Sequence, residues 1–270
     1  MASPERIEDA AFVRALDLVA DGDVERLRAH LASQPDLVHR RVPFEGYAYF
    51  TEPTLLEFVA ENPIRRNTLP PNIAEIARLI LEAGAKANHA AIDSTLGLVC
   101  SGQVSREHGV QIALVDLLCG YGADPNLAVL SALAHGEFAA VDGLLRHGAT
   151  VDLVMAAAMG RVEEARRTLP ASDEAQRQRA LSLAAQHGHA GIVRLLLDAG
   201  ADPNRWNLPG LHAHSTPLHQ AALAGHEDVV RLLVERGARR DLEDKLFKAT
   251  PSGWAAHGGH PELAAYLAGA

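Results

Sequence analysis

The stretch Ser215 to Arg239, STPLHQAALAGHEDVVRLLVERGAR, admits few folds, because it contains the signals for two short helices with a tight turn between them. Thr216 can cap a helix N-terminus through its hydroxyl, and Pro217 suits the first helical position, where no N–H is needed. His219 falls three residues after the cap, where its ring can reach back in the manner of a capping box, a structural role. Leu218, Ala221 and Ala222 form an apolar face of mostly small side chains, against which a neighbouring helix can come close. Gly225 should stop this helix and Gly237 the next, since a glycine at a helix C-terminus takes the left-handed conformation without a Cβ penalty. The second helix carries Val229, Val230, Leu232 and Leu233 on one side. Two helices of about eight to ten residues are marginal in water on their own. The unit therefore demands neighbours.

Those neighbours stand on both sides. Upstream, Leu181, Leu183, Ala184, Ala185, Gly188, His189, Ile192, Val193, Leu195, Leu196, Gly200 and Ala201 repeat the pattern at a spacing of 37, read from Gly188 to Gly225. Downstream, Thr250, Pro251, Ala255, Ala256, Gly259, His260, Leu263 and Leu267 repeat it at 34, read from Gly225 to Gly259. With its Thr216-Pro-Leu-His219 signature and this period, the chain resembles the ankyrin-repeat proteins, most closely over residues 178–268. The resemblance implies an all-α solenoid of seven or eight helix-turn-helix repeats, with β-hairpin or finger loops projecting from one edge. It also implies a binding function, through the fingers and the concave side.

Composition narrows the partners. The 270 residues carry a formal charge of −9, from 34 acidic against 25 basic side chains, which opposes nucleic acid as a ligand. Aromatics are only 4% of the chain, so the core should be aliphatic and alanine-rich. Cys100 and Cys119 are too few for a disulfide framework and read as small buried hydrophobes in a reducing compartment. The N-terminus MASPERIEDAAF has acids where a signal peptide needs an apolar run, and no segment is long and apolar enough to span a membrane. The expectation is a cytoplasmic monomer that binds neither membrane nor nucleic acid and holds no cofactor.

Along the chain, one solenoid over 1–270 is expected in three sections. Residues 1–40 read as an N-terminal capping repeat, with Phe12, Leu16 and Val19 on one helix and Val24, Leu27 and Leu31 on the next. Degenerate repeats occupy 41–177, and well-formed ones with a C-terminal cap follow over 178–270. Finger-like loops are expected at 41–52, 205–214 and 239–249. The first of these, Arg41 to Glu52, holds Phe44, Tyr47, Tyr49 and Phe50, which either pack on the stack or await a partner. Within the degenerate part, a first helix is read over Pro53 to Ala60 and another over Thr95 to Val99. The turns after them are expanded, over 61–71 and 101–109, and three prolines stiffen the former. Glycine spacing makes the repeats around Gly136 and Gly160 fingerless. Ser172 is read as the cap of the helix before Leu181.

No residue cluster carries a recognisable chemistry. His189, His226 and His260 share one repeat position after the turn glycine, which marks them as structural. His226-Glu227 lacks a second zinc ligand, because residue 230 is valine. His212 and His214 with nearby His219 have no cysteine or carboxylate cluster to complete a metal site, and Gly120-Tyr-Gly122 lies at a helix end as a cap. No catalytic residue is assigned. The finger around Arg205, Trp206, Leu211, His212 and His214 is longer than the family norm. Trp206 is read either as a lid on its own finger or as an exposed anchor. Leu246 and Phe247 form an apolar island on the following finger, and Arg and Trp are the types enriched at binding hot spots. The expected partner surface is thus Arg205, Trp206, His212, Leu246 and Phe247, extended by Phe44, Tyr47, Tyr49 and Phe50. A competing reading places a small-ligand or catalytic pocket under the expanded turns 61–71 and 101–109.

Overall fold

The computed structural model of the chain describes residues 7–44, 47 and 49–269. The extreme N-terminus, residues 1–6, whose composition argued against a signal peptide, and residues 45, 46 and 48 of the aromatic loop lie outside the described residues. The chain divides into two compact units, Met1–Ala149 and Thr150–Ala270. Each is a stack of helix pairs, and no strand occurs among the described residues.

In the first unit the helices are α1 (Ala10–Asp21), α2 (Val24–Ser33), α3 (Ile73–Glu82), α4 (His89–Cys100), α5 (Gln103–Glu107), α6 (Gln111–Gly120), α7 (Pro125–Ala134) and α8 (Phe138–Arg146). One row runs through α1, the 3-10 segment Leu55–Ala60, α4 and α7, and the other through α2, α3, α6 and α8. The segment 55–60 is 3-10 rather than the expected α-helix. All six of its residues are buried, and it stops at Glu61, which is left-handed at φ 47°. Asn62 precedes Pro63 and so resists helical continuation, which leaves a piece too short for a stable α-turn. Its start is held by Glu57, which accepts from the Thr54 backbone N–H at 2.7 Å.

Two further differences have local causes. Residues 101–109 contain α5 instead of an open turn, because Val104 and Ser105 are buried and the Ser105 hydroxyl donates to the Val99 and Gly102 carbonyls. Packing there fixes a turn that propensity alone would not. The preceding helix starts at His89, capped by Asn88, well before Thr95.

The second unit contains α9 (Leu153–Ala158), α10 (Val162–Thr168), α11 (Glu174–Gln186), α12 (Ala190–Asp198), α13 (Pro217–Leu223), α14 (Glu227–Glu235), α15 (Pro251–His257) and α16 (Pro261–Ala268). The helices α9, α11, α13 and α15 form one row and α10, α12 and α14 the other, with α16 against α15. Asp173, not Ser172, caps α11 and pairs reciprocally with Gln176. The Ser172 hydroxyl is committed backwards, donating to the Leu169 carbonyl at 2.6 Å. Ala156, Ala184, Ala221, Ala222 and Ala255 are fully buried along the first row, and these small side chains are what permits short helices to pack so closely.

The repeated histidines join one pair to the next. His189 Nε2–H donates to the Ala158 carbonyl and His226 Nε2–H to the Gln186 carbonyl, each at 3.0 Å. Each thereby satisfies a carbonyl left over at the end of the previous pair's first helix. The expected fingers exist as loops, not β-hairpins. A few backbone bonds close them, such as Val42 N–H to Pro53 O at 3.2 Å and Phe44 N–H to Thr51 O at 2.8 Å in the first, and Asp244 N–H to Ala249 O at 2.9 Å in the last.

Gly225 and Gly237 both end their helices with positive φ, 73° and 89°, as the sequence reading expects. They differ in surroundings. A Cβ on Gly225 would lie 2.4 Å from the His260 ring, whereas one on Gly237 would meet nothing within 4 Å. Gly237→Ala should therefore cost only the left-handed backbone penalty, about 1–2 kcal/mol, and Gly225→Ala clearly more. Denaturant unfolding of the two variants checks this, and equal losses would mean that the His260 contact relaxes freely.

Candidate functional site

The two fingers of the second unit meet beside α13 and α15. Asp244 is the centre of the arrangement. Its fully buried carboxylate accepts from the backbone N–H groups of Leu246 (2.9 Å), Phe247 (2.6 Å) and Ala249 (3.0 Å), and from the Trp254 indole Nε1–H (3.0 Å). Burial alone would push this carboxyl up, but the Phe247 N–H, the indole and the other two N–H groups outweigh it and hold the pKa well below the usual carboxylate range. The neighbouring finger is tied in by Lys245 N–H, which donates to the His214 carbonyl at 2.8 Å. Lys248 sits in the left-handed region at φ 56°, an uncommon conformation for a side chain of its size, so the loop tip is tightly determined. The result is that Leu246 and Phe247 are held out in solvent, 64% and 67% exposed.

An aromatic cluster lies underneath. The Trp254 ring meets His219 edge-on at 5.3 Å and His214 at 5.6 Å, while Phe247 packs edge-on against His214 at 5.7 Å. Trp206 is half-buried, stacks on His219 at 6.5 Å and carries the Lys245 ammonium 4.6 Å from its ring centroid. It is neither a sealed lid nor a free anchor. Beside Phe247 opens a cleft of about 390 Å³ lined by Leu223, Phe247, Ala249, Gly253, Trp254 and His257.

The other sequence-picked residues fall elsewhere. Arg205 pairs with Glu174, and His212 is exposed, with its ring edge-on to His214. Leu211 is buried and anchors its finger. In the aromatic loop, Phe44 and Phe50 are not surface residues. They bury against Phe58, at 5.9 and 5.2 Å, because plain phenyl rings lose nothing by leaving water. Tyr47 and Tyr49 remain 40% and 59% exposed, as befits rings with a hydroxyl to keep wet.

The polar groups of the expanded turns are spent internally. Glu61 accepts from the backbone of Arg65, Arg66 and Asn67. Asn62 donates to the Leu98 carbonyl and the Ser101 hydroxyl, each at 3.0 Å, and Arg106 pairs with buried Glu137. Both cysteines are free. Burial pushes the Cys119 thiol up to about 11, and that of Cys100 further still, so neither is a nucleophile at neutral pH. Among the described residues no group of three His, Cys, Asp or Glu side chains could hold a metal ion. His219 has both ring nitrogens engaged. The Thr216 hydroxyl donates to Nδ1 at 2.8 Å, and Nε2–H donates to the Ala249 carbonyl at 3.3 Å.

The family model for ankyrin repeats matches the chain in three copies, over residues 104–241 and 207–270, together more than half its length. The chain belongs to the ankyrin-repeat family. Such repeats are generally protein–protein interaction modules, and proteins built from them are typically non-enzymatic scaffolds. Comparison of this ankyrin-repeat protein with curated proteins finds no match. No helix among the described residues is long and apolar enough to cross a membrane.

The sequence reading missed Asp244, Lys245 and Trp254 at this site. A signal existed for the first, since an Asp before a short run of turn residues commonly accepts the N–H groups two and three positions on. Asp244→Ala would strand four donors, the Trp254 indole among them buried, so stability should fall by about 3 kcal/mol or more, with Asp244→Asn intermediate. Urea unfolding measures this. A loss below about 1 kcal/mol in Asp244→Ala would show that the clamp does not fasten the finger.

A second expectation concerns pH. Burial, with His214 beside it, outweighs the Ala249 carbonyl and Asp244 and lowers the His219 pKa below its ordinary 6.5, and burial likewise lowers that of His189. A lowered histidine pKa means that the unfolded chain takes up protons first, so stability present at neutral pH declines as pH falls below 6.5. Asp244 stays ionised throughout this window and contributes no slope. Melting temperature should drop on acidification in the native chain and drop less steeply in His219→Gln; a native melting temperature that rises would contradict the assignment.

Proposed function

We propose that this ankyrin-repeat protein is a scaffold that binds a partner protein through the finger surface of its second unit, centred on Leu246 and Phe247 with Trp206 and Lys245 beside them. One observation carries the reading. The two most exposed large hydrophobic side chains of the described residues sit side by side on a loop that a buried carboxylate fixes in place. Exposing them costs hydrophobic free energy, and fixing them removes much of the ordering entropy that binding would otherwise lose. A surface of this kind is organised for contact. Arg205 and His212 flank it on the neighbouring finger, and Phe44 and Phe50 take no part because they are core.

The competing reading, a ligand or catalytic pocket under the turns 61–71 and 101–109, has weaker support. Glu61, Asn62 and Arg106 are already committed to their own loops and helices. Two free cysteines, one buried and one half-buried, fit a reducing compartment, which supports reading the protein as a cytoplasmic monomer, and the net charge of −9 disfavours a nucleic-acid partner.

The test is affinity capture of partners from native lysate, with the affinity of a captured partner then measured on variants. Phe247→Ala combined with Leu246→Ala should weaken binding by about 2 kcal/mol or more, roughly thirtyfold, with melting unchanged. Trp206→Ala should lower the melting temperature as well, because its ring packs on His219 and Lys245. Leu127→Ala, at a comparably exposed position, should do neither. Partners that bind the Phe247 and Leu246 variant undiminished would remove the fingers from the interface.

A further inference from the structure

The chain contains three lysines, and two of them, Lys245 and Lys248, bracket Leu246 and Phe247. Both are exposed. Their state differs from that of most arginines around them, Arg240 excepted, which donates to the Tyr266 carbonyl and lies over its ring. Arg205 pairs with Glu174, Arg231 with Glu227, Arg236 with Asp198 and Arg239 with Asp241. Among the described residues neither lysine ammonium has a carboxylate within ion-pair distance, although Glu243 and Asp244 immediately precede Lys245 in sequence. Asp244 is turned inward onto its four donors, and Lys245 rests instead over the Trp206 ring. A chain of net charge −9 therefore presents, on one loop tip, two cations with no carboxylate partner among the described residues.

Between this tip and α15 lies the largely apolar cleft of about 390 Å³, lined by Leu223, Phe247, Ala249, Gly253, Trp254 and His257. That volume falls in the range of sites that enclose part of a ligand. Apart from the His257 imidazole its lining is mostly apolar, so an apolar side chain fits it best. Phe247, which lines the cleft, is followed directly by Lys248 and preceded two residues earlier by Lys245, so an anionic group flanking the entering side chain would meet complementary charge.

The geometry points to a partner segment of stated chemistry. We infer that the cleft beside Phe247 receives one large apolar side chain of a peptide whose neighbouring residues are acidic, with their carboxylates meeting Lys245 and Lys248. This deepens the finger-surface reading and rests on it. An anionic lipid surface would also suit two lysines and two exposed apolar side chains. It is disfavoured because a bilayer is too flat to fill a concave cleft, and because the net charge of −9 repels it. Exposed charges at a rim act mainly through long-range attraction, so binding should weaken as salt rises.

The experiment selects short random peptides displayed on phage against the full-length chain, then measures selected peptides by fluorescence polarisation. The expected result is enrichment of Asp and Glu around a Leu, Phe or Trp, with affinity falling at least tenfold in the double variant Lys245→Glu, Lys248→Glu. The same double variant, reselected, should enrich Lys and Arg around the same apolar anchor. Both substitutions are exposed, and melting of each variant confirms that the fold persists. Enriched peptides without acidic residues that still lose affinity in Phe247→Ala would overturn the acidic chemistry and leave the finger surface standing. Peptides indifferent to Phe247→Ala and to the lysine reversals would overturn both. A selection that yields no binder would overturn the peptide proposal alone, since the capture experiment tests the finger surface independently. Sedimentation with phosphatidylserine vesicles that depends on Phe247 would overturn it in favour of a lipid surface.

Discussion

No helix pair in this chain could persist alone, and every other feature depends on how that is resolved. Helices of six to thirteen residues in the second unit gain stability only from an apolar side laid against a neighbour. Fully buried alanines at 156, 184, 221, 222 and 255 set the approach. Small side chains leave backbone ends near the next pair, and His189 and His226 use that nearness to satisfy carbonyls of the pair before. The stacking contact and the polar contact are thus one constraint. Replacing the alanines by larger residues would separate the pairs and strand the carbonyls together.

The finger surface inherits its order from the same stack. Asp244 is in a loop, but its carboxylate reaches the indole of Trp254 on α15, and the Trp254 ring lies against His219 on α13. His219 in turn holds the start of its own helix through Thr216 and the end of the finger through the Ala249 carbonyl. A chain of contacts therefore runs from two helix starts to the exposed tip. A loop held this way retains little freedom to lose on binding, which is how a repeat scaffold can use an irregular segment for recognition.

The fold was legible where glycine and alanine did the patterning, and less so where buried polar groups did. Gly225 and Gly237 announce their turns because almost no other residue tolerates that conformation. The 3-10 segment 55–60 and α5 were misjudged, since their form depends on Glu57 bonding Thr54 and on Ser105 bonding the Val99 carbonyl, contacts that join residues only after packing. Ser172 looked like a cap until its hydroxyl turned back to Leu169. At the site, Leu246, Phe247 and Trp206 stood out by type and location. Phe44 and Phe50 did too, but a sequence cannot tell an aromatic that reaches Phe58 from one that does not. Asp244 was passed over because a carboxylate in a charged loop reads as solvated, and nothing in the local pattern points to an indole ten residues away.

The division of labour between arginine and lysine follows from the same physics. A guanidinium offers a planar fork that matches a carboxylate, and in an acidic chain it finds one, as Arg205, Arg231, Arg236 and Arg239 each do. A lysine ammonium is a compact, strongly hydrated charge with less to gain from such a pairing, and it stays available. Scarcity elsewhere in the chain makes the placement informative: two of the three lysines, the side chain less disposed to internal pairing, stand where the apolar tip meets solvent.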